Sequence, residues 1–273
     1  MEASQPIERR KRALSSDGAR HVRQQGYDDA LEFALSIGVS SDYTNNLQAK
    51  KDVVDPSGDT HSLKGGLKKW QVFLYGRNRF ESDDAWRVMD GIGDLFVQCI
   101  DSFPATFEEY QVDKLSAKEK LRIPMRALSE KLQDKARLRA LLNKSLFNGG
   151  EVDYLTTKHN GIFDVFLNKD VVDVLAENLE VTNSRMISKG NVAEQKVLLR
   201  FNKLNLGELE MRNDSEVHYR EIRFNMVKPK VMALLLEKIP ITKTFNEKVM
   251  VHGNASKRFG RWINKETPTG EPL

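Results

Sequence analysis

The chain has 273 residues, 40% of them hydrophobic, enough for one large domain with its own core. No apolar run approaches the roughly 18 residues that span a bilayer, and the polar, basic N-terminus has no leader-like segment, so a cytoplasmic protein is expected rather than a secreted or membrane-inserted one. The single cysteine, Cys99, excludes an intrachain disulfide and reads as a small buried hydrophobe within IGDLFVQCI. The net charge of +4 is unevenly distributed: basic residues exceed acidic ones by seven from Lys114 to Lys144, by five from Lys243 to Lys265 and by three up to Arg23. Such segregation suits a protein that presents basic surfaces to a polyanion; solvated helix faces are the alternative.

In chain order, residues 1–16, with the run RRKR at 9–12, read as a flexible basic arm ahead of a single domain over 17–273. A helix is expected from Ser16 or Asp17 to a stop at Gly38, burying Val22, Leu31, Phe33 and Leu35. LQAKKDVVDPSGDTHSLKGG reads as two strands around a Pro-Ser-Gly turn. KKWQVFLYG resumes an apolar stretch, and SDDAWRVMDGIGDLFVQCIDSFP is expected to be one helix capped by Ser82 and ended before Pro104. These elements occupy 17–105. The basic part, 106–150, contains a strong helix after Pro124 with Leu128, Leu132, Ala136 and Leu142 along one side. From 151 to 273 the texture is strand-rich: DYLTT, GIFDVFL, QKVLLRFN, LGELEMR and VHYREIRFNMV, followed by a helix in KVMALLLEKI. Helix, hairpin, helices and then strands favour an α/β or α+β fold.

With Pro56, Ser57 and Gly58 as a three-residue loop and Gly58 in the left-handed region, Asp55 faces Asp59, Asp52 faces Ser62, and Lys50 faces Lys64. One exposed hairpin face then carries Lys50, Asp52, Ser62 and Lys64, while Asp55 and Asp59 sit at the turn on the other. Opposed lysines repel, so a carboxylate with a metal or phosphate between them fits this arrangement. An aspartate ligating Mg2+ and a lysine stabilising charge are the components of phosphodiester hydrolysis.

The run DVVDPSGDTHSLK, followed by WQVFLY, resembles the hairpin and following helix of the PD-(D/E)XK nucleases, type II restriction endonucleases in particular. Asp52 matches the first acidic position of that motif and Lys64 its lysine. Gln71 and Tyr75 match a Gln-x-x-x-Tyr element that some branches carry on the next helix. The resemblance implies a restriction-endonuclease-like mixed sheet flanked by helices, Mg2+ as cofactor, double-stranded DNA as substrate, and a homodimer for symmetric cutting. It assigns catalysis to Asp52, Ser62, Lys64 and Gln71 and metal binding to Asp52 and Ser62. Ser62 departs from the pattern, standing where the family usually has Asp or Glu. Some relatives with Ser-x-Lys take a glutamate from the following helix instead; Glu81, Asp83 and Asp84 downstream and Glu32 upstream are the candidates here, with none singled out.

A second segment, GELEMRNDSEVHYREIRF, resembles restriction-enzyme-like sequences more loosely. Arg212, Asn213, His218, Tyr219 and Arg220 supply donors that read base edges or grip phosphate, and Lys50, Arg126, Lys135 and Arg139 are the expected phosphate contacts. A charged hairpin with cross-strand ion pairs is the competing reading, and Glu208 with Glu210 forms a rival metal pair. His21, His61, His159, His218 and His252 show no metal-ligand spacing, and no phosphate-loop motif points to a nucleotide cofactor. A non-catalytic protein that holds DNA through its basic helices is the alternative function.

Overall fold

The computed structural model describes residues 16–40, 52–66, 68–185 and 192–265. The first helix, α1 (Ser16–Ser36), presents Ala30, Phe33, Ala34 and Ile37 at helical spacing to the core. It stops at Gly38, whose φ of +83° is left-handed. Leu35, expected inside, is 55% exposed, because it lies on the other side of that stripe.

The stripe packs on a mixed sheet. Its strands β1 (Val53–Val54) and β2 (Thr60–Lys64) form the expected hairpin, with Val53 opposite His61 and Val54 opposite Thr60. The turn is held by one carboxylate, since Asp55 Oδ1 accepts the N–H groups of Ser57 at 2.8 Å and Asp59 at 3.0 Å. Gly58 takes φ +88° as the loop requires.

The next segment departs from expectation: β3 (Lys69–Tyr75) is a strand, not a helix, and pairs in a second sheet. A register shift between Gln71 and Phe73 turns both Trp70 and Phe73 inward. The helix is implied by the family resemblance alone, and the bulge lets a strand bury two residues three positions apart.

Helices follow. α2 (Arg77–Ser82) comes first, and α3 (Asp84–Arg87) and α4 (Ile92–Asp101) replace the single helix expected from Ser82. The chain breaks at Asp90 and Gly91, both at positive φ, and the cap of α3 is Asp83 rather than Ser82. After α5 (Phe107–Val112), the basic region forms two helices, α6 (Lys114–Leu132) with Pro124 inside it and α7 (Lys135–Phe147) capped by Asp134. Ala136, expected to be buried, is exposed, because the break at Gln133 and Asp134 resets the helical phase.

Strands β4 (Tyr154–His159) and β5 (Ile162–Leu167) return to the first sheet, and α8 (Asn168–Asn178) follows them. The second sheet is completed by β6 (Glu180–Asn183), β7 (Lys196–Phe201), β8 (Leu204–Met211) and β9 (Ile222–Val227). The expected strand at 217–227 forms only from Ile222, because 217–220 is a turn. Then α9 (Lys228–Lys238), β10 (Ile241–Asn246) and β11 (Val249–His252) lead to a short 3-10 turn, Gly253–Lys257. The first sheet runs β1-β2-β4-β5-β11-β10, with β2 parallel to β4 and β5 parallel to β11. The second runs β3-β9-β8-β7-β6 and is wholly antiparallel. The fold is mixed α/β, and among the described residues no helix is long and apolar enough to cross a membrane. Cys99 is fully buried, which pushes its thiol pKa up and leaves it unreactive.

Under α1 the hairpin carries a buried histidine. His61 contacts Thr156 Oγ1 through Nδ1 at 2.8 Å, stacks on Tyr154 and touches the Phe33 ring. Its Nε2 lies 3.5 Å from Asp55 Oδ2, with both side chains inaccessible. Burial lowers the imidazole pKa below its usual 6.5, outweighing the opposing pull of Asp55. The unfolded chain therefore takes up this proton first as pH falls, and the stability present above 6.5 is lost below it. The urea midpoint is expected to fall as pH drops below about 6.5, and His61→Gln to remove most of that slope. An unchanged slope in the variant would assign the titration to another group.

Candidate active site

The described ladder continues the expected register toward Asp52 and Ser62, but Asp52 leaves the face on which it was placed. Its N–H donates to the His61 carbonyl at 2.8 Å, and its Oδ2 accepts the Leu63 N–H at 2.6 Å. The carboxylate thus takes over a ladder position on the edge of β2, and its Oδ1 has no hydrogen bond among the described residues.

The face was expected to be exposed, and the structure corrects this. Ser62 lies in one row with Leu155 and Phe166, whose face packs into the main core, so it is 1% exposed, and its Oγ has no hydrogen-bond partner among the described residues. Lys64 is half-buried and, among the described residues, has neither ion pair nor hydrogen bond. Lys50 lies outside the described residues. Gln71 is exposed on β3 opposite Asn225 in the second sheet, so the structure does not bring it to this hairpin.

Two residues that the sequence did not single out join the same face. Parallel pairing puts Thr157 beside Lys64, and the β4–β5 ladder puts Asp164 beside Thr157. Thr157 is fully buried and its Oγ1 is unpartnered. Asp164 is 7% exposed, and its Oδ1 lies 2.8 Å from Nε2 of His252. The turn at His159–Gly161 would have aligned Thr157 with Asp164, but nothing local signals that β4 lies against β2.

Among the proposed additional carboxylates, Glu81 binds Arg77, Asp84 binds Arg87, and Asp83 binds Arg79 and Lys144. All three stand on the α2–α3 segment. Glu32 does reach the first sheet: with Asp29 it holds Lys158 at the end of β4, at 2.6 and 2.8 Å. The rival pair on β8 is neutralised. Glu208 meets Lys69 at 2.9 Å and Lys196 at 3.3 Å, while Glu210 contacts Lys196 and Arg223. Burial opposes ionisation of Glu208, but these cations outweigh it and hold its carboxyl below the usual range. Asp55 closes the turn, and Asp59 accepts from Tyr154 and Arg258.

Most of the expected nucleic-acid contacts have partners within the protein. Arg126 binds Glu194, Lys135 donates to the Leu179 carbonyl at 2.7 Å, and Arg139 binds Asp173 and Glu177. Arg212 binds Asp214, His218 contacts Glu221, and Arg220 reaches Asp101 at 3.2 Å. Tyr219 donates to the Pro104 carbonyl and packs against Phe103, Phe107 and Tyr110. Asn213 is half-buried with no side-chain hydrogen bond among the described residues.

No family model, curated protein or solved structure matches this chain. Among the described residues no three His, Cys, Asp or Glu side chains converge on one point. Mg2+ does not require such a cage, because it keeps several waters and is commonly held by one or two carboxylates with substrate phosphate. The spare oxygen of Asp52 and the orphaned Ser62 hydroxyl fit that smaller demand.

Replacing Arg126, Lys135 and Arg139 together with alanine is expected to lower the melting temperature, because these side chains tie α6 and α7 to the segments around β6 and α8. The salt dependence of DNA binding should stay as it was. A flattened salt slope with unchanged melting would instead put them on phosphates.

Proposed function

We propose that this chain is a Mg2+-dependent, site-specific endonuclease of double-stranded DNA, of the restriction type, with a restriction-endonuclease-like fold and acting as a homodimer. One observation carries the reading. Lys64 is a half-buried ammonium with no ion pair or hydrogen bond among the described residues, two positions from the Ser62 hydroxyl, which is likewise unpartnered there, at the carboxyl end of the parallel pair β2 and β4. Ligand sites in sheets with parallel strands form at such ends, where successive connections separate. Here the chain leaves β2 for the second sheet, whereas β4 turns straight back into β5.

In this reading Asp52 holds the cation through its free oxygen, and Lys64 stabilises negative charge developing on the phosphate. Ser62 contributes a neutral hydroxyl, a weak ligand. When bound, the cation polarises the phosphodiester and lowers the pKa of a coordinated water. DNA held by basic segments without cleavage is the alternative.

The test is incubation of supercoiled plasmid with the protein and Mg2+, with EDTA as control. Discrete fragments support the proposal; retarded but intact plasmid overturns it in favour of the binding alternative. Lys64→Ala is expected to abolish cleavage while preserving fold and DNA binding. Asp52→Asn retains an oxygen for the Leu63 N–H, so it should fold and recover part of its activity at higher Mg2+ or with Mn2+. Ser62→Ala is expected to retain most activity and to change stability by no more than about 1 kcal/mol, since it removes a hydroxyl already lacking a partner. Wild-type cutting by Lys64→Ala would remove this site from consideration.

A further inference from the structure

We infer, resting on the nuclease reading above, that Lys228 and His252 are positioning residues for Lys64: together they occupy the Asp164 carboxylate and so leave the Lys64 ammonium free for substrate phosphate.

Lys64, Thr157 and Asp164 stand side by side on β2, β4 and β5. Adjacent strands lie about 4.8 Å apart, so the two charged residues start about 10 Å from each other on one face, within the combined reach of a lysine stem and an aspartate. Opposite charges attract more strongly where water is partly excluded, and Asp164 is only 7% exposed. An ion pair between them is the default outcome. Lys64 nevertheless has no ion pair among the described residues, because Asp164 is engaged elsewhere.

Two groups engage it. Asp164 Oδ1 lies 2.8 Å from His252 Nε2, while His252 Nδ1 meets the Ile239 carbonyl at 3.1 Å and the ring stacks on Phe166. The imidazole is thus fixed at both nitrogens and in turn fixes the carboxylate. Lys228 acts from the other sheet. Its buried ammonium attracts Asp164 and Asp29 through space and donates to the Gly65 and Lys158 carbonyls at 2.6 Å each. Those carbonyls belong to the residues that follow Lys64 and Thr157, the last pair of the parallel ladder, so the same ammonium also fixes the strand end that bears Lys64. A methionine would fill similar space without the cost of desolvating a charge, so packing alone does not account for an ammonium here. Asp29, whose Oδ2 lies against Gly65, is likewise committed, to Lys158 at 2.8 Å. With both carboxylates matched to other groups, the Lys64 charge stays uncommitted.

The experiment is trace acetylation of lysines in the full-length protein without DNA, read peptide by peptide by mass spectrometry, alongside plasmid cleavage with Mg2+. Only the neutral amine is acetylated, and a carboxylate partner favours the ammonium form, so a new ion pair shows as slower labelling. Lys228→Met and His252→Leu release Asp164 toward Lys64 by separate routes; each is expected to slow Lys64 labelling roughly tenfold and to lower the kcat of cleavage by a similar factor. Adding Asp164→Asn to either variant is expected to restore the Lys64 labelling rate, which loosened strand ends or lost folding would not do. If labelling fails to slow in both single variants, or stays slow once Asp164→Asn is added, the positioning role is refuted; cleavage by wild type would still leave the nuclease reading standing. If labelling slows and is restored as expected but wild type leaves plasmid intact, the hold on Asp164 stands and the nuclease reading falls.

Discussion

A buried ammonium joins the two sheets. Lys228, 4% exposed, donates from Nζ to the Gly65 and Lys158 carbonyls at 2.6 Å each, while its own N–H donates to the Lys68 carbonyl. Those contacts tie the carboxyl ends of β2 and β4 in one sheet to the end of β9 and the start of α9 in the other. Burial lowers the lysine pKa, and Asp29 and Asp164 oppose that shift by favouring the charged form. A lysine suits the place because its long stem carries a compact charge to main-chain acceptors that a shorter side chain could not reach.

The same junction accounts for Gly65. A Cβ there would come within 2.2 Å of Asp29 Oδ2, and Asp29 is committed to Lys158 from the α1 side. Helix, strand ends and the crossing to β3 therefore meet where no side chain fits. The proposed site begins one residue earlier, at Lys64. Its position on paired strands suits a constellation that must hold its geometry.

The distribution of charge has a different meaning in three dimensions from the one it has along the chain. The basic excess of the helical region looks like a polyanion footprint, yet Arg126, Lys135 and Arg139 are spent on Glu194, a main-chain carbonyl, and the acidic residues Asp173 and Glu177. Likewise Lys69, Lys196 and Arg223 neutralise the β8 glutamates. Lys64, on β2, has no such partner among the described residues, which is why it outweighs longer basic runs in the functional reading.

The hairpin was legible because its determinants are local: a Pro-Ser-Gly loop with one left-handed residue sets which strand positions oppose, and Asp55 closes it from within four residues. The helical character of α1, α7 and α9 was legible for the same reason, as was the strand character of β4, β5, β7 and β8. Tertiary structure decided the rest. β3 became a strand because its bulge lets Trp70 and Phe73 both reach the aromatic core, a gain that no local pattern reports. Ser62 was sealed when its face packed into the main core with Leu155 and Phe166, and Thr157 and Asp164 came beside Lys64 when β4 took its place along β2 about ninety residues later in the chain. Turn geometry is encoded within a few residues. The partner of a parallel strand is chosen by which distant surfaces pack together, and that choice is made by the whole core at once.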